Sequence, residues 1–386
     1  MSAALRLYLI AGEPSGDRLG ADLIRGLRAL SDRPVEFGGL GGAQMAAEGL
    51  ESLFPIDELS IMGLAEVLPR VPSLLRRIAQ TARDVERFAP DALITIDSPD
   101  FCLRVARRIR RQVPKLRTIH YVAPSVWAWR PGRADKMARV IDHVLALLPF
   151  EPPYMQRAGM SCDFVGHPVA LEAPPTSDAI AAARRAIGLE ADTHAVAILP
   201  GSRRGEVDRH GPMFRAVMER LSAPSRRFLI PTVGAREAQV REVFAGSPTQ
   251  PLIVRPEQVG GSQAVFAACE AALAVSGTVS VELAAAGTPM IVGYRANRLT
   301  EMLARRLVKV DYASLVNILE DRAVIPEYLA DACTVEALEG ALGTLLESAE
   351  AQEAQRSAFG QAMAAMGRGR FAPGEGAARS VLDVIG

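Results

Sequence analysis

Three short stretches of the chain combine residue types at spacings that can do chemistry. The first is Val275-Ser276-Gly277-Thr278-Val279-Ser280-Val281-Glu282, where a strand-like run passes directly into a helical one. A helix that starts on glycine offers unpaired N–H groups and positive potential to a phosphate. Glu282, one turn further in, is spaced to accept both hydroxyls of a ribose. The plainer role for these residues is a helix cap by Ser276 or Thr278, with Glu282 completing a capping box. The second stretch is Leu199-Pro200-Gly201-Ser202-Arg203-Arg204-Gly205-Glu206. Gly201 and Ser202 make a tight turn, and Arg203 presents a planar fork that can grip two diphosphate oxygens. Its plainer role is a surface ion pair with Glu206. The third is Ile96-Asp97-Ser98-Pro99-Asp100-Phe101. A carboxylate at the end of a buried strand is placed to deprotonate a hydroxyl. That role is favoured over a D-x-x-D metal site, because no third carboxylate stands beside the pair.

The elements that must position these residues alternate along the whole chain. Leu5–Ala11, Ala92–Ile96, Thr118–Val122 and His143–Leu148 read as buried strands in the first half. His194–Leu199, Arg227–Pro231, Ala271–Val275 and Pro289–Val292 do so in the second. Helical patterns between them, such as Arg18–Leu30 and Pro212–Leu221, imply parallel sheets covered on both faces. Leu5–Gly12 and His194–Gly201 both start a strand–turn–helix unit, about half a chain apart. A proline-rich connection lies between them at Gly166–Val169 and Ala173–Ser177. The expected organisation is α/β, with two Rossmann-like domains facing across a cleft, over 1–170 and 171–349. The C-terminal helical segment, about 350–386, is expected to join the first. Ligands are expected at the carboxyl ends of the strands.

Composition narrows the class of partner. The chain of 386 residues carries 44 basic and 44 acidic side chains, so its net charge of zero argues against wrapping nucleic acid. The hydrophobic fraction of 49% is too high for disorder. The four cysteines, Cys102, Cys162, Cys269 and Cys333, form no C-x-x-C pair, which fits a reducing cytosol. No signal segment or membrane-spanning run is read. Charge is nevertheless uneven: eleven basic residues between Arg104 and Arg139 face one acid, Asp135. They are either a solvated helix face or a surface for phosphates, on a substrate or an anionic lipid. Met62, Leu64, Val67 and Leu68, followed by Arg76 and Arg77, read as a core helix or as a dip into a membrane interface. Trp127 and Trp129 stand two apart, so one is expected buried and the other facing a groove.

Taken in order, Gly12-Glu13-Pro14-Ser15-Gly16-Asp17, Ile96–Phe101, His120-Tyr121-Val122-Ala123-Pro124-Ser125-Val126-Trp127-Ala128-Trp129, Leu199–Arg203 and Ser276-Gly277-Thr278 with Glu282 resemble the lipid-A-disaccharide synthase family over nearly the whole chain. The resemblance implies a GT-B fold and inverting, metal-independent glycosyl transfer with no cofactor. It implies UDP-2,3-diacylglucosamine as donor and 2,3-diacylglucosamine 1-phosphate (lipid X) as acceptor. The setting would be the cytosolic face of the inner membrane, with a possible homodimer that exchanges C-terminal elements. Asp97 then matches the general base and Arg203 the essential arginine. Glu282 and Asn317 match donor contacts, alongside Gly201, Ser202, Ser276, Gly277 and Thr278. Gly12, Glu13, Ser15, Gly16, Asp17, Ser125 and Trp127 fall to the acceptor side, and Met62, Leu64, Val67 and Leu68 to the membrane. Two positions depart from the family pattern: Cys102 stands where Asn is common, and Val316 where Pro is common. A UDP-sugar epimerase and a non-catalytic sugar-nucleotide-binding protein are the competing readings on the same frame.

Overall fold

A computed structural model describes residues 4–59, 71–130, 132–190, 192–296 and 310–386. The chain forms two compact units. The first holds Met1–Glu172 and Met366–Gly386, and the second Ala173–Ala365. The C-terminal stretch is thereby divided. The helix Ala349–Ala365 packs within the second unit, where the Gln355 side chain bonds both backbone groups of Met290. The helix Glu375–Ile385 returns to the first unit and packs on the helix Pro14–Leu30.

Each unit is built on a six-stranded, wholly parallel sheet. In the first, β1 (Leu5–Ala11), β2 (Val35–Leu40), β3 (Ala92–Ile96), β4 (Arg117–Tyr121), β5 (His143–Ala146) and β6 (Ser161–Phe164) lie in the order β2-β1-β3-β4-β5-β6. In the second, β7 (His194–Leu199), β8 (Arg226–Pro231), β9 (Leu252–Val254), β10 (Ala271–Ala274), β11 (Met290–Tyr294) and β12 (Glu327–Leu329) lie in the order β12-β11-β10-β7-β8-β9. The inner strands have buried, mostly apolar centres because helices cover both of their faces. β3 and β10 are buried at every residue.

Helix covering follows the apolar spacing. In Pro14–Leu30 a proline occupies the first turn, where no N–H partner is needed. Leu19, Leu23, Ile24 and Leu27 recur at three- and four-residue steps and are buried. The helix expected to start near Pro212 in fact spans Arg204–Arg220, with Pro212 inside it. Proline usually marks a helix start, and here its missing N–H is accommodated in the interior. Among the described residues, no helix is long and apolar enough to cross a membrane. Met62, Leu64, Val67 and Leu68 lie outside the described residues.

Candidate active site

In the second unit, β7 and β10 are hydrogen-bonded neighbours, with Leu199 paired to Ala274. The two glycine turns therefore leave the sheet side by side at its carboxyl edge. Gly201 has φ +118° and Gly277 φ +151°, conformations that a side chain would strain. The turns open into one pocket of about 520 Å³ that contains Gly201, Ser202, Arg203, Glu206, Ser276, Gly277, Thr278 and Glu282 in its lining. Pro231, Thr232 and Val233, together with Pro256 and Phe266, complete the walls. These wall residues come from the end of β8, from the turns after β8 and β9 and, for Phe266, from the helix Ser262–Ala267, and carry no local sequence signal.

The helix Thr278–Ala285 starts on Gly277 with no side-chain cap, so the expected capping by Ser276 or Thr278 does not occur. Ser276 Oγ instead donates to the carbonyl of Ala313 at 3.3 Å. The helix start faces the pocket with the unpaired donors that every uncapped N-terminus retains. The other turn is different. Glu206 Oε2 accepts the backbone N–H groups of Ser202 (3.1 Å) and Arg203 (3.2 Å), and Oε1 accepts Arg203 Nη1 at 3.0 Å. The surface ion pair considered for Arg203 is thus present, inside a capping box. His210 anchors this helix from behind: Arg295 N–H donates to its Nε2 at 3.0 Å, and its Nδ1 lies 2.9 Å from the Glu206 carbonyl. Burial lowers the His210 pKa and favours the neutral ring that this pairing requires.

Asn317, expected among the nucleotide contacts, is fully buried with every side-chain bond committed. Its Nδ2 donates to the Ile325 carbonyl and to Glu327 Oε1, and its Oδ1 accepts the N–H groups of Val324 and Ile325. Glu327 also accepts the N–H groups of Ala313 and Ser314. In this arrangement Asn317 shapes the loop that meets Ser276 and does not line the pocket. Val316 is equally buried, packed inside the same short helix, Leu315–Glu320.

In the first unit, Asp97 directly follows β3 with φ +50° and is followed by Ser98 at φ +41°. Two consecutive left-handed residues without glycine cost on the order of 1 kcal/mol each, and such strain collects at functional turns. The Asp97 N–H still bonds the Tyr121 carbonyl on β4 at 2.9 Å, so the kink occurs on a fixed base. Asp97 Oδ1 accepts the Ser98 N–H at 2.9 Å, and Oδ2 accepts Ser15 Oγ at 3.4 Å. Ser98 Oγ donates to Glu13 Oε1 at 3.1 Å. Gly12 permits this approach, because a Cβ there would lie 2.6 Å from Ser98 Cβ. Glu13, Ser15 and Asp97 are thereby gathered at one turn.

Two neighbours in that motif have structural work. Asp17 is buried and accepts the N–H groups of Gly42, Gln44 and Met45, which caps the helix Ala43–Ala47. Both of its carboxylate oxygens, expected on the acceptor side, are engaged by that cap. Gly16 lets the helix start lie close to β3: a Cβ there would be 3.2 Å from the Ile96 carbonyl oxygen. Cys102 points into the core, with Sγ 3.8 Å from the Ile10 carbonyl and 3.9 Å from that of Ile96, and burial pushes its thiol pKa up.

The tryptophan segment is held by a glutamate that no local motif singles out. Trp127 Nε1 donates to Glu151 Oε1 at 3.2 Å, and the Leu148 N–H donates to Oε2 at 3.0 Å. Phe150 meets the Trp127 ring edge-on at 5.1 Å. Burial raises the Glu151 pKa from 4.5 to about 7. Trp129 is exposed, with the guanidinium groups of Arg130 and Arg133 at 4.5 and 5.8 Å from its ring. Ser125 is exposed, and its carbonyl accepts the N–H groups of Ala128 and Trp129.

Comparison with known proteins decides the family. The model for lipid-A-disaccharide synthetase matches residues 7–371. The chain belongs to the lipid-A-disaccharide synthase family. It is 52% identical to the lipid-A-disaccharide synthase of Ruegeria pomeroyi, over 98% of this chain and 95% of that one. It is 44% identical to that of Rhodospirillum centenum, over 99% and 95%. Membership in the lipid-A-disaccharide synthase family makes the chain a glycosyltransferase of lipid A biosynthesis. Among solved structures, UDP-GlcNAc 2-epimerase from Neisseria meningitidis bound to UDP-GlcNAc superposes with a TM-score of 0.64 at 11% identity, covering 99% of each chain. MurG from Acinetobacter baumannii gives 0.56 at 14%, also over 99% of each. These likenesses show the fold, which is GT-B; the family match does not favour the epimerase and binding-protein alternatives. Cys102 and Val316, the two departures from the family pattern, both turn out to be buried core positions.

Proposed function

We propose that the chain transfers a 2,3-diacylglucosamine unit from its UDP ester to the 6-hydroxyl of 2,3-diacylglucosamine 1-phosphate, giving a β-1,6-linked disaccharide 1-phosphate and UDP. The observation that carries this reading is the pocket of the second unit. One arginine side chain, one uncapped helix start and one carboxylate a turn further in converge there from adjacent strands. Displacement at the anomeric carbon leaves positive charge on the sugar and negative charge on the departing diphosphate. Arg203 and the Gly277–Thr278 helix start stabilise the diphosphate. Glu282 binds the ribose. Asp97, raised on its kinked turn beside Ser15 and Glu13, takes the proton from the acceptor hydroxyl. Attack on the face opposite the leaving group inverts the anomeric centre.

Gly12, Glu13, Ser15, Ser125 and Trp127 serve the acceptor side. The acylated substrates place the protein at the cytosolic face of the inner membrane as a peripheral protein. Exposed Leu75 and Trp129, with arginines stacked on the latter, support such a surface. A homodimer that exchanges C-terminal elements would trade the contact between Glu375–Ile385 and Pro14–Leu30 for the same contact between copies. The deciding experiment is incubation with the two acylated glucosamines, followed by mass spectrometry. A disaccharide monophosphate and UDP in equal amounts are expected. UDP release without a disaccharide, or a changed sugar on UDP, contradicts the reading.

A further inference from the structure

The two helix starts that meet in the donor pocket differ in one respect. The start at Thr278 carries no side-chain cap, whereas the start at Arg204 is closed by its own carboxylate. Glu206 takes the N–H groups of Ser202 and Arg203, the two backbone donors that a strand–glycine–helix turn ordinarily offers a phosphate. The same carboxylate pairs with the Arg203 guanidinium. Glu206 is largely sheltered, with 13% of its side chain exposed, while Arg203 is 71% exposed. The anion therefore sits at the base of the turn, and the cation it holds is exposed to an incoming ligand. A guanidinium has five N–H donors, so pairing with Glu206 leaves others to direct elsewhere.

We propose that Glu206 is a positioning residue for transfer: it is the resident counter-anion of Arg203, occupies the amides of the 201–203 turn, and opposes the diphosphate that takes Arg203 over. The inference rests on the donor reading of this pocket. Its consequence is that Arg203 and the Thr278 helix start bind UDP against a standing negative charge. UDP is then held only as tightly as turnover allows.

Glu206→Gln separates this role from capping, because glutamine fulfils the backbone half of a capping box while removing the charge. The expected result is UDP binding tightened about five- to tenfold, as loss of a like charge beside a diphosphate requires. The donor KM falls with it, and kcat falls because UDP leaves more slowly. Arg203→Ala weakens UDP binding, and adding Glu206→Gln to it restores more affinity than the same change gives in the unaltered protein, since the carboxylate there has lost its partner. Glu206→Ala, which removes cap and charge together, should shift UDP affinity in the same direction and serves if the glutamine variant folds poorly. Unchanged or weaker UDP binding in Glu206→Gln and Glu206→Ala, when the unaltered protein binds UDP, overturns the proposal alone. Absence of UDP binding by the unaltered protein overturns the donor reading and this proposal with it.

Discussion

Glu151 shows how one side chain links sequence-distant segments and leaves a thermodynamic trace. Its carboxyl joins Trp127, in the loop after β4, to Leu148, in the loop after β5, and burial raises its pKa to about 7. A folded-state pKa above the unfolded value of 4.5 means that the folded protein keeps a proton the unfolded chain gives up. The stabilisation is complete below about pH 4.5 and is lost as pH rises through about 7, an effect on the order of 3 kcal/mol. Glu151→Gln should therefore flatten the pH dependence of stability between pH 5 and 8 and make the protein relatively more stable at pH 8. Urea unfolding followed by tryptophan emission measures it, and Trp127 is one of two reporters. An unchanged slope would place the Glu151 pKa near that of an ordinary carboxyl. At this scale the sequence was partly legible. Asp97 and Arg203 stand out because each follows a strand end, where function collects. Asp17 and Asn317 belong to equally conspicuous motifs, yet their bonds go to Gly42–Met45 and Ile325–Glu327. Local pattern cannot reveal which distant backbone groups a polar side chain must satisfy.

The elements repeat that lesson in the sheets. All eight inner strands are legible in the sequence from their largely apolar centres, because burial on both faces favours them. The four strands without such a signal, β2, β6, β9 and β12, are the edges of the two sheets. Their burial is partial, as in Ser161–Phe164 and Glu327–Leu329, so hydrophobicity marks them poorly. Pro212 misplaces a helix start for a related reason: its local preference yields to burial of Val207, Phe214 and Val217 along one longer helix. Asp17 lets the element scale be tested apart from chemistry. It satisfies three backbone N–H groups at the start of Ala43–Ala47. Asp17→Ala should cost about 2 kcal/mol of stability, since buried donors lose their acceptor. UDP affinity, which belongs to the second unit, should stay unchanged. Weakened UDP binding in a variant that remains folded would reject a purely capping role.

For the whole molecule, zero net charge coexists with local surfaces of one sign. Arg104, Arg107, Arg108 and Arg111 are exposed on the helix Pro99–Gln112, and Arg110 is instead committed to Asp142 and Thr118. With Trp129 and its two arginines, they form an exposed basic and aromatic surface on the first unit, which the proposed membrane contact would use. The protein should sediment with vesicles rich in anionic lipid and much less with neutral ones, and release at high salt. Trp129→Ala with Arg133→Ala should reduce that binding severalfold, whereas equal binding to neutral vesicles would reject headgroup recognition. The proposed mechanism assigns leaving-group stabilisation to residues of the second unit and acceptor activation to Asp97 of the first. The most direct test is the turnover of Asp97→Asn with both acylated substrates, read beside its UDP affinity. If Asp97 is the general base, kcat falls about 100- to 10,000-fold below that of the unaltered protein with UDP binding unaffected. Turnover within a few-fold of normal would contradict it.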